Sequence, residues 1–149
     1  MPCDPCHVAF RSIKILVDCG SGTVNQIVNS GVMPPQINHV LITHHHSDHI
    51  IDFPCFALLR FDLDPGDLPP LRVFGPPPTV KFVDRLFGKE GAFLPDIVAR
   101  REHPISHHGH VGRGGTLPRP GLKVHALDLE SGATVEGKCW KAKAVQVPH

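Results

Sequence analysis

Residues 44–49 read His44-His45-His46-Ser47-Asp48-His49 and follow directly on the apolar run Val40-Leu41-Ile42-Thr43. Ions of the zinc type take imidazole nitrogens and carboxylate oxygens as ligands. In this segment only Ser47 lacks such a group. The apolar run reads as a strand, with the ligand loop at its end. In extended backbone, side chains two residues apart share a face. His44 and His46 therefore point together, and His45 points to the other side. If the chain then turns into a helix, Asp48 and His49 take neighbouring directions and reach a second ion beside the first. Ions of a two-metal site sit ~3.5–4 Å apart, so one short segment can supply about half of such a site. A bare histidine tract would be only a compositional signal, a surface metal trap or a solvated loop. The order HxHxDH behind an apolar strand is much more specific.

The flanking segments read as alternating strands and helices. Ser12 to Asp18 is apolar and β-branched enough for a buried strand. Gly20 and Gly22 are expected to supply positive φ for the turn after it. A phosphate cradle is the weaker reading of that glycine pair. Thr23 to Ser30 reads as a short helix with Val24, Ile27 and Val28 on one face and Gly31 as its stop. Asn38 to Thr43 is the strand that carries the histidines. Asp52 to Arg60 reads as a helix, with Pro54 tolerated in its first turn and Phe53, Phe56, Ala57 and Leu59 facing a sheet. Leu71 to Phe74 is a further strand. Thr79 to Phe87 reads as a helix capped by Thr79 and stopped by Gly88, with Val80, Val83, Leu86 and Phe87 as its apolar face. Gly121 to Leu129, Thr134 to Lys138 and Lys141 to Val147 read as a β meander. Strands alternating with helices and followed by a meander indicate an α/β protein.

The segment 44–49 resembles the metallo-β-lactamase superfamily, whose signature is HxHxDH on the loop after a core strand. The likeness extends to Leu16-Val17-Asp18-Cys19-Gly20-Ser21-Gly22-Thr23, similar to the preceding strand and glycine turn. It also takes in Asn38 to Thr43 and Leu71-Arg72-Val73-Phe74-Gly75-Pro76-Pro77. THHHSDH and FGPPP are most similar to the ribonuclease Z and arylsulfatase-like branch. Ala144-Val145-Gln146-Val147-Pro148-His149 resembles the strand bearing the family's third histidine. The resemblance implies an α/β fold, the αββα sandwich of that superfamily, with a mixed sheet flanked by helices. Residues 1–149 would form a single, incomplete domain, roughly its N-terminal half. By the same resemblance His44, His46 and His149 would hold a first metal, and Asp48 and His49 part of a second. Asp48 would be the catalytic group, orienting the nucleophile and moving its proton. The family's later bridging aspartate and later histidine have no counterpart up to His149. Zinc is the implied metal, two ions in a complete domain; manganese or iron would accept the same ligands.

The remaining segments add bounds. Formal charge is +1 with neutral histidines, which gives no strong field toward nucleic acid or anionic lipid. No apolar run approaches the ~20 residues of a membrane span, and Met1-Pro2-Cys3-Asp4 lacks the features of a signal peptide. Five cysteines without a secretion signal indicate reduced thiols and a cytoplasmic setting. Cys19 and Cys55, in apolar surroundings, are expected to be packed. Cys3-Asp4-Pro5-Cys6-His7 has the spacing of c-type haem attachment, but an incidental CxxC is the simpler reading. Residues 89–120 carry Arg100, Arg101, His103, His107, His108, His110, Arg113 and Arg119. They read as a solvated, flexible insertion in preference to a substrate-facing lid. His107-His108-Gly109-His110 has neither a carboxylate nor a preceding strand and is not assigned to the metal site. Lys138 to Lys143 reads as a solvated strand face in preference to a phosphodiester contact.

Two function classes follow. The first is a binuclear metal-dependent hydrolase. The resemblance points to phosphodiester cleavage of the ribonuclease Z kind, with arylsulfate, lactone or β-lactam hydrolysis as alternatives. Its substrate would be a small ester or phosphodiester, or RNA. The second is a truncated member that binds metal or a partner without turnover. Its sheet would lack a packing counterpart, so homo-oligomers are expected.

Overall fold

A computed structural model describes residues 13–148. The CxxCH segment and His149 lie outside the described residues. The core is a four-stranded sheet of β1 (Lys14–Val17), β2 (Ile37–Leu41), β3 (Leu71–Gly75) and β4 (Val124–Asp128), in that spatial order. All three pairings are parallel. Parallel strands need crossover connections, which the helices supply. Helix α1 (Thr23–Asn29) joins β1 to β2. The short α2 (Ser47–Ile50) and the longer α3 (Phe53–Leu63) lie between β2 and β3. Helices α4 (Thr79–Phe87), α5 (Leu94–Glu102) and α6 (Pro104–Gly112) lie between β3 and β4.

One face of the sheet is dry. Val40, Leu71 and Val73 are fully buried there, packed with Phe53, Phe56 and Ala57 of α3, Ile27 of α1 and Val83 of α4. This is the apolar face expected of α3 and α4. Leu59 stays only partly buried, and Val80 is 44% exposed. Arg60 is also buried, and it stitches α3 to the start of β2. Its guanidinium donates to Ile37 O at 2.9 Å, Asn38 Oδ1 at 2.6 Å and Pro69 O at 2.8 Å.

Three expectations are corrected here. The final strands do not form a meander. β4 pairs with β3, while β5 (Thr134–Gly137) and β6 (Trp140–Lys143) make a separate antiparallel hairpin. The last strand ends at Lys143, and Val145 and Val147 are exposed. Residues 89–120 are not a loose insertion. They fold into α5 and α6, clamped to α3 through Asp62, which stands 2.9 Å from Arg100, 3.5 Å from Arg113 and 3.4 Å from Arg119. Cys55 is exposed, because it faces away from the sheet on α3; Cys19 is fully buried, as expected.

Turn chemistry differs in detail from the pattern reading. Gly22 and Gly31 take positive φ of 81° and 77°, which only glycine adopts readily. Gly20 does not. Its role is closeness: a Cβ there would sit 1.9 Å from the carbonyl oxygen of Asp48. The left-handed position in that turn belongs instead to Asp18, at φ 58°. Thr79 opens α4 without capping it. Its hydroxyl is buried and donates to Pro76 O at 2.7 Å. Gly88 follows α4 at φ −70° and is likewise a close approach, to Asp84. Among the described residues no helix is long and apolar enough to cross a membrane.

Candidate metal centre

The histidine loop leaves the sheet at the C-terminal end of β2. Ile42 still donates to Phe74 O of β3 at 2.7 Å, so the chain stays in register until Thr43. There the loop is gripped by Asp18, at the end of the neighbouring strand β1. The Thr43 N–H donates to Asp18 Oδ1 at 2.7 Å, and the Thr43 hydroxyl to Asp18 Oδ2 at 2.8 Å. Asp18 Oδ2 also accepts from His49 Nδ1 at 2.8 Å. Burial would raise the Asp18 carboxyl, but the bonds from Thr43 and the bond and charge of His49 outweigh it and hold the group below its ordinary value of 3.8. Two backbone bonds close the same corner: Cys19 N–H to His49 O at 2.6 Å, and Asp52 N–H to Cys19 O at 2.9 Å. Cys19 is sealed behind them. Burial, with smaller contributions from Asp52, Cys55 and Asp18, pushes its thiol up to about 12.

These bonds assign the tautomers. A carboxylate only accepts, so the proton shared with Asp18 belongs to His49 Nδ1. The Thr43 hydroxyl proton is given to Asp18, so the 3.0 Å contact between Thr43 Oγ1 and His44 Nδ1 is a bond donated by His44. Both rings then carry their lone pair on Nε2, the atom a metal takes. A histidine ligand that donates its other nitrogen to a carboxylate or hydroxyl is oriented and made more basic.

The loop brings together most of the residues that its pattern nominates. The His44 ring lies 4.6 Å from that of His46 and 4.1 Å from that of His49, centroid to centroid. Asp48 Oδ2 is 3.5 Å from His49 Nε2. Tetrahedral zinc with bonds of ~2.0–2.2 Å spaces its ligand atoms by about 3.3 Å, so this pair fits a shared ion. His45 points to the opposite side, as extended backbone requires. Its Nε2 is 3.0 Å from Thr79 Oγ1, and its ring lies edge-on to Phe82. Burial lowers its pKa, with Asp128 opposing. The residue types and the pairwise spacings suit zinc. Even so, among the described residues no group of three or more His, Cys, Asp or Glu side chains forms a set that could hold a metal ion. His149, the third histidine expected for the first ion, lies outside the described residues.

Pattern reading missed Asp18 and Thr43, which position the loop without matching the ligand signature. The visible signal was an acidic residue ending an apolar strand, in Leu16-Val17-Asp18. The second histidine group lies on α6, and two of its rings are engaged by backbone carbonyls. His107 Nε2 meets Arg101 O, and the buried His110 meets Thr116 O.

Comparisons with known proteins show what the chain is similar to. A family model described as Anti-Pycsar protein Apyc1 matches residues 8–64. Proteins named ribonuclease Z are similar in sequence. That of Mycolicibacterium gilvum is 41% identical over 106 residues, covering 70% of this chain and 33% of its own length. One from Mycobacterium is 33% identical over 132 residues, 89% of this chain and 40% of the relative. One from Methanococcus maripaludis is 40% identical over 79 residues, 53% of this chain and 25% of the relative. The chain thus spans a quarter to two-fifths of the length of the curated relatives it matches. Among solved structures, the metallo-β-lactamase fold protein YhfI from Bacillus subtilis superimposes with a TM-score of 0.53 at 15% identity. It covers 87% of this chain and 38% of its own.

Proposed function

The chain belongs to the metallo-β-lactamase superfamily, in its ribonuclease Z-like branch, and from that premise we propose that the loop 44–49 is the N-terminal share of a metal-dependent phosphodiesterase centre. The observation that carries this reading is the convergence of His44, His46, Asp48 and His49 at one strand end, with Asp18 holding the loop from behind. His44 and His46 would hold one ion together with His149. Asp48 and His49 would contribute to a second. Zinc held by these residues would supply a water whose pKa is lowered toward ~7 and would polarise the scissile group.

This chain's own residues supply orientation and proton handling. Thr43 and Asp18 fix which nitrogen His44 and His49 present. Asp48 is 77% exposed at its side chain, so it can accept a proton from the attacking water and return it to solvent. The ribonuclease Z relatives suggest an RNA phosphodiester as substrate. The free thiols of Cys19, Cys55 and Cys139 suit a setting in the cytoplasm. In the alternative reading the chain binds metal or a partner without turnover.

Elemental analysis of the purified 149-residue chain, repeated for His46→Ala, tests the site. We expect zinc in the native chain and its loss in the variant. Hydrolysis of bis-p-nitrophenyl phosphate, an aryl sulfate, a lactone and nitrocefin then separates the two readings. Turnover that disappears with the metal supports the enzyme. A chain that holds zinc without turnover supports the binding protein. A native chain that takes up no zinc rejects the metal centre.

A further inference from the structure

His45 lies between two proposed ligands and cannot join them, yet its surroundings are specific. Its Nε2 is 3.0 Å from the hydroxyl of Thr79, a residue with no exposed surface. That hydroxyl gives its single proton to Pro76 O at 2.7 Å. The bond to His45 must therefore run from a protonated ring nitrogen, which fixes His45 as the Nε2–H tautomer. Thr79 is itself held. A Cβ at position 75 would meet its Oγ1 at 2.6 Å and Ile42 Cβ at 2.9 Å, so glycine is what lets Thr79 lie against the end of β2. The next residue, Val80, donates its N–H to Asp128 Oδ1 at the end of β4, at 2.8 Å. A continuous set of bonds thus runs from β4 through the first turn of α4 to the middle of the histidine loop.

We propose that His45 is a positioning residue, tethered by Thr79 to the Gly75–Pro78 turn so that His44 and His46 are presented together on the opposite side. The inference rests on the metal reading of the loop. Its logic is steric. Neighbouring side chains of extended backbone point in opposite directions, so a ring locked on one side sets the direction of the two rings flanking it. An apolar residue at 45 could keep the contact with Phe82 but would leave the Thr79 hydroxyl without a donor.

The test uses the whole chain with zinc as probe, in competition with a chromophoric chelator, alongside two-bond 1H–15N spectra of the histidine rings. The variants are Thr79→Val, which keeps shape and removes the hydroxyl, Thr79→Ser, which restores it, and His45→Leu. Partners of metal ligands commonly contribute 10–100-fold in affinity. We expect Thr79→Val and His45→Leu to weaken zinc binding by about tenfold, the low end of that range, and Thr79→Ser to remain near the native value. The native spectrum should show His45 as Nε2–H with a protected ring proton, lost in Thr79→Val and kept in Thr79→Ser. An Nδ1–H ring, an unchanged affinity in Thr79→Val, or a serine variant that behaves like valine overturns the tether. If the native chain binds no zinc, the metal reading fails separately, and the ring spectra alone decide the tether.

Discussion

Asp18 is the residue on which the loop depends most. One carboxylate receives three bonds from the segment it holds. Asp18→Asn keeps acceptor capacity but removes the charge opposite His49. We expect zinc affinity, read by chelator competition, to fall by about 10–100-fold. The pH response follows from the same bonds. Because the folded carboxyl titrates below its ordinary 3.8, its stabilising contribution is present above that value and is lost as pH falls through the lower, folded value. Cys19 gives a second check. With its thiol pushed up to about 12 and no exposed surface, it should stay unlabelled by iodoacetamide at pH 8, where the thiolate is the reacting form. Cys55 and Cys139 are exposed and should label within the same period, as read by peptide mapping of the native chain. The ligand residues were legible in the sequence because donor type and spacing are local properties. Asp18 and Thr79 were not, since their roles depend on partners 25 to 34 positions away.

The elements were legible wherever periodicity was strong. α4 occupies the expected Thr79–Phe87, and α1 ends at Asn29, one residue before the expected Ser30. The pattern could not show that α5 and α6 dock. Their arginine and histidine content suggested solvent, and Arg101 and Arg113 are exposed, but Arg119, just after α6, turns inward. Arg119 is buried, with its guanidinium 4.5 Å from the Phe61 ring centroid, donating to Arg100 O and Phe61 O at 3.1 Å. Its Nε finds no acceptor among the described residues. Arg119→Ala would strand those carbonyls and remove the stacked stem, a loss of about 2 kcal/mol. We expect a lower urea midpoint and faster proteolysis between residues 89 and 120. Equal protease resistance in variant and native chain would show that the pair docks without Arg119. Strand pairing was similarly beyond reach. β4, β5 and β6 follow one another with turn residues between them, but β4 finds a better partner in β3 because the long helical crossover returns it to the sheet edge.

The whole molecule has a covered face and an open one, and this sets its expected behaviour in solution. On the face away from α1, α3 and α4, registered neighbours form two rows. One is His39, Arg72 and His125; the other is Val17, Leu41, Phe74 and Leu127. The β5–β6 hairpin covers only part of this surface, with Trp140 against His39 and Phe74. Val17 remains 59% exposed and Leu127 48%. A groove of about 730 Å³ runs between that row and residues 142–147, reaching Thr43 and His44. Val145 and Val147, exposed by 66% and 68%, line it. Exposed apolar side chains at both edges of this face and along the groove favour association, whereas the near-zero formal charge offers little long-range repulsion against it. Sedimentation velocity on the 149-residue chain should therefore show mass rising with concentration. Val17→Thr combined with Leu127→Lys should shift the distribution toward monomer without changing far-UV circular dichroism, because neither side chain is part of the buried core. A native chain that stays monomeric up to high concentration would mean that the hairpin and the segment after it shield the sheet more completely than their exposures indicate.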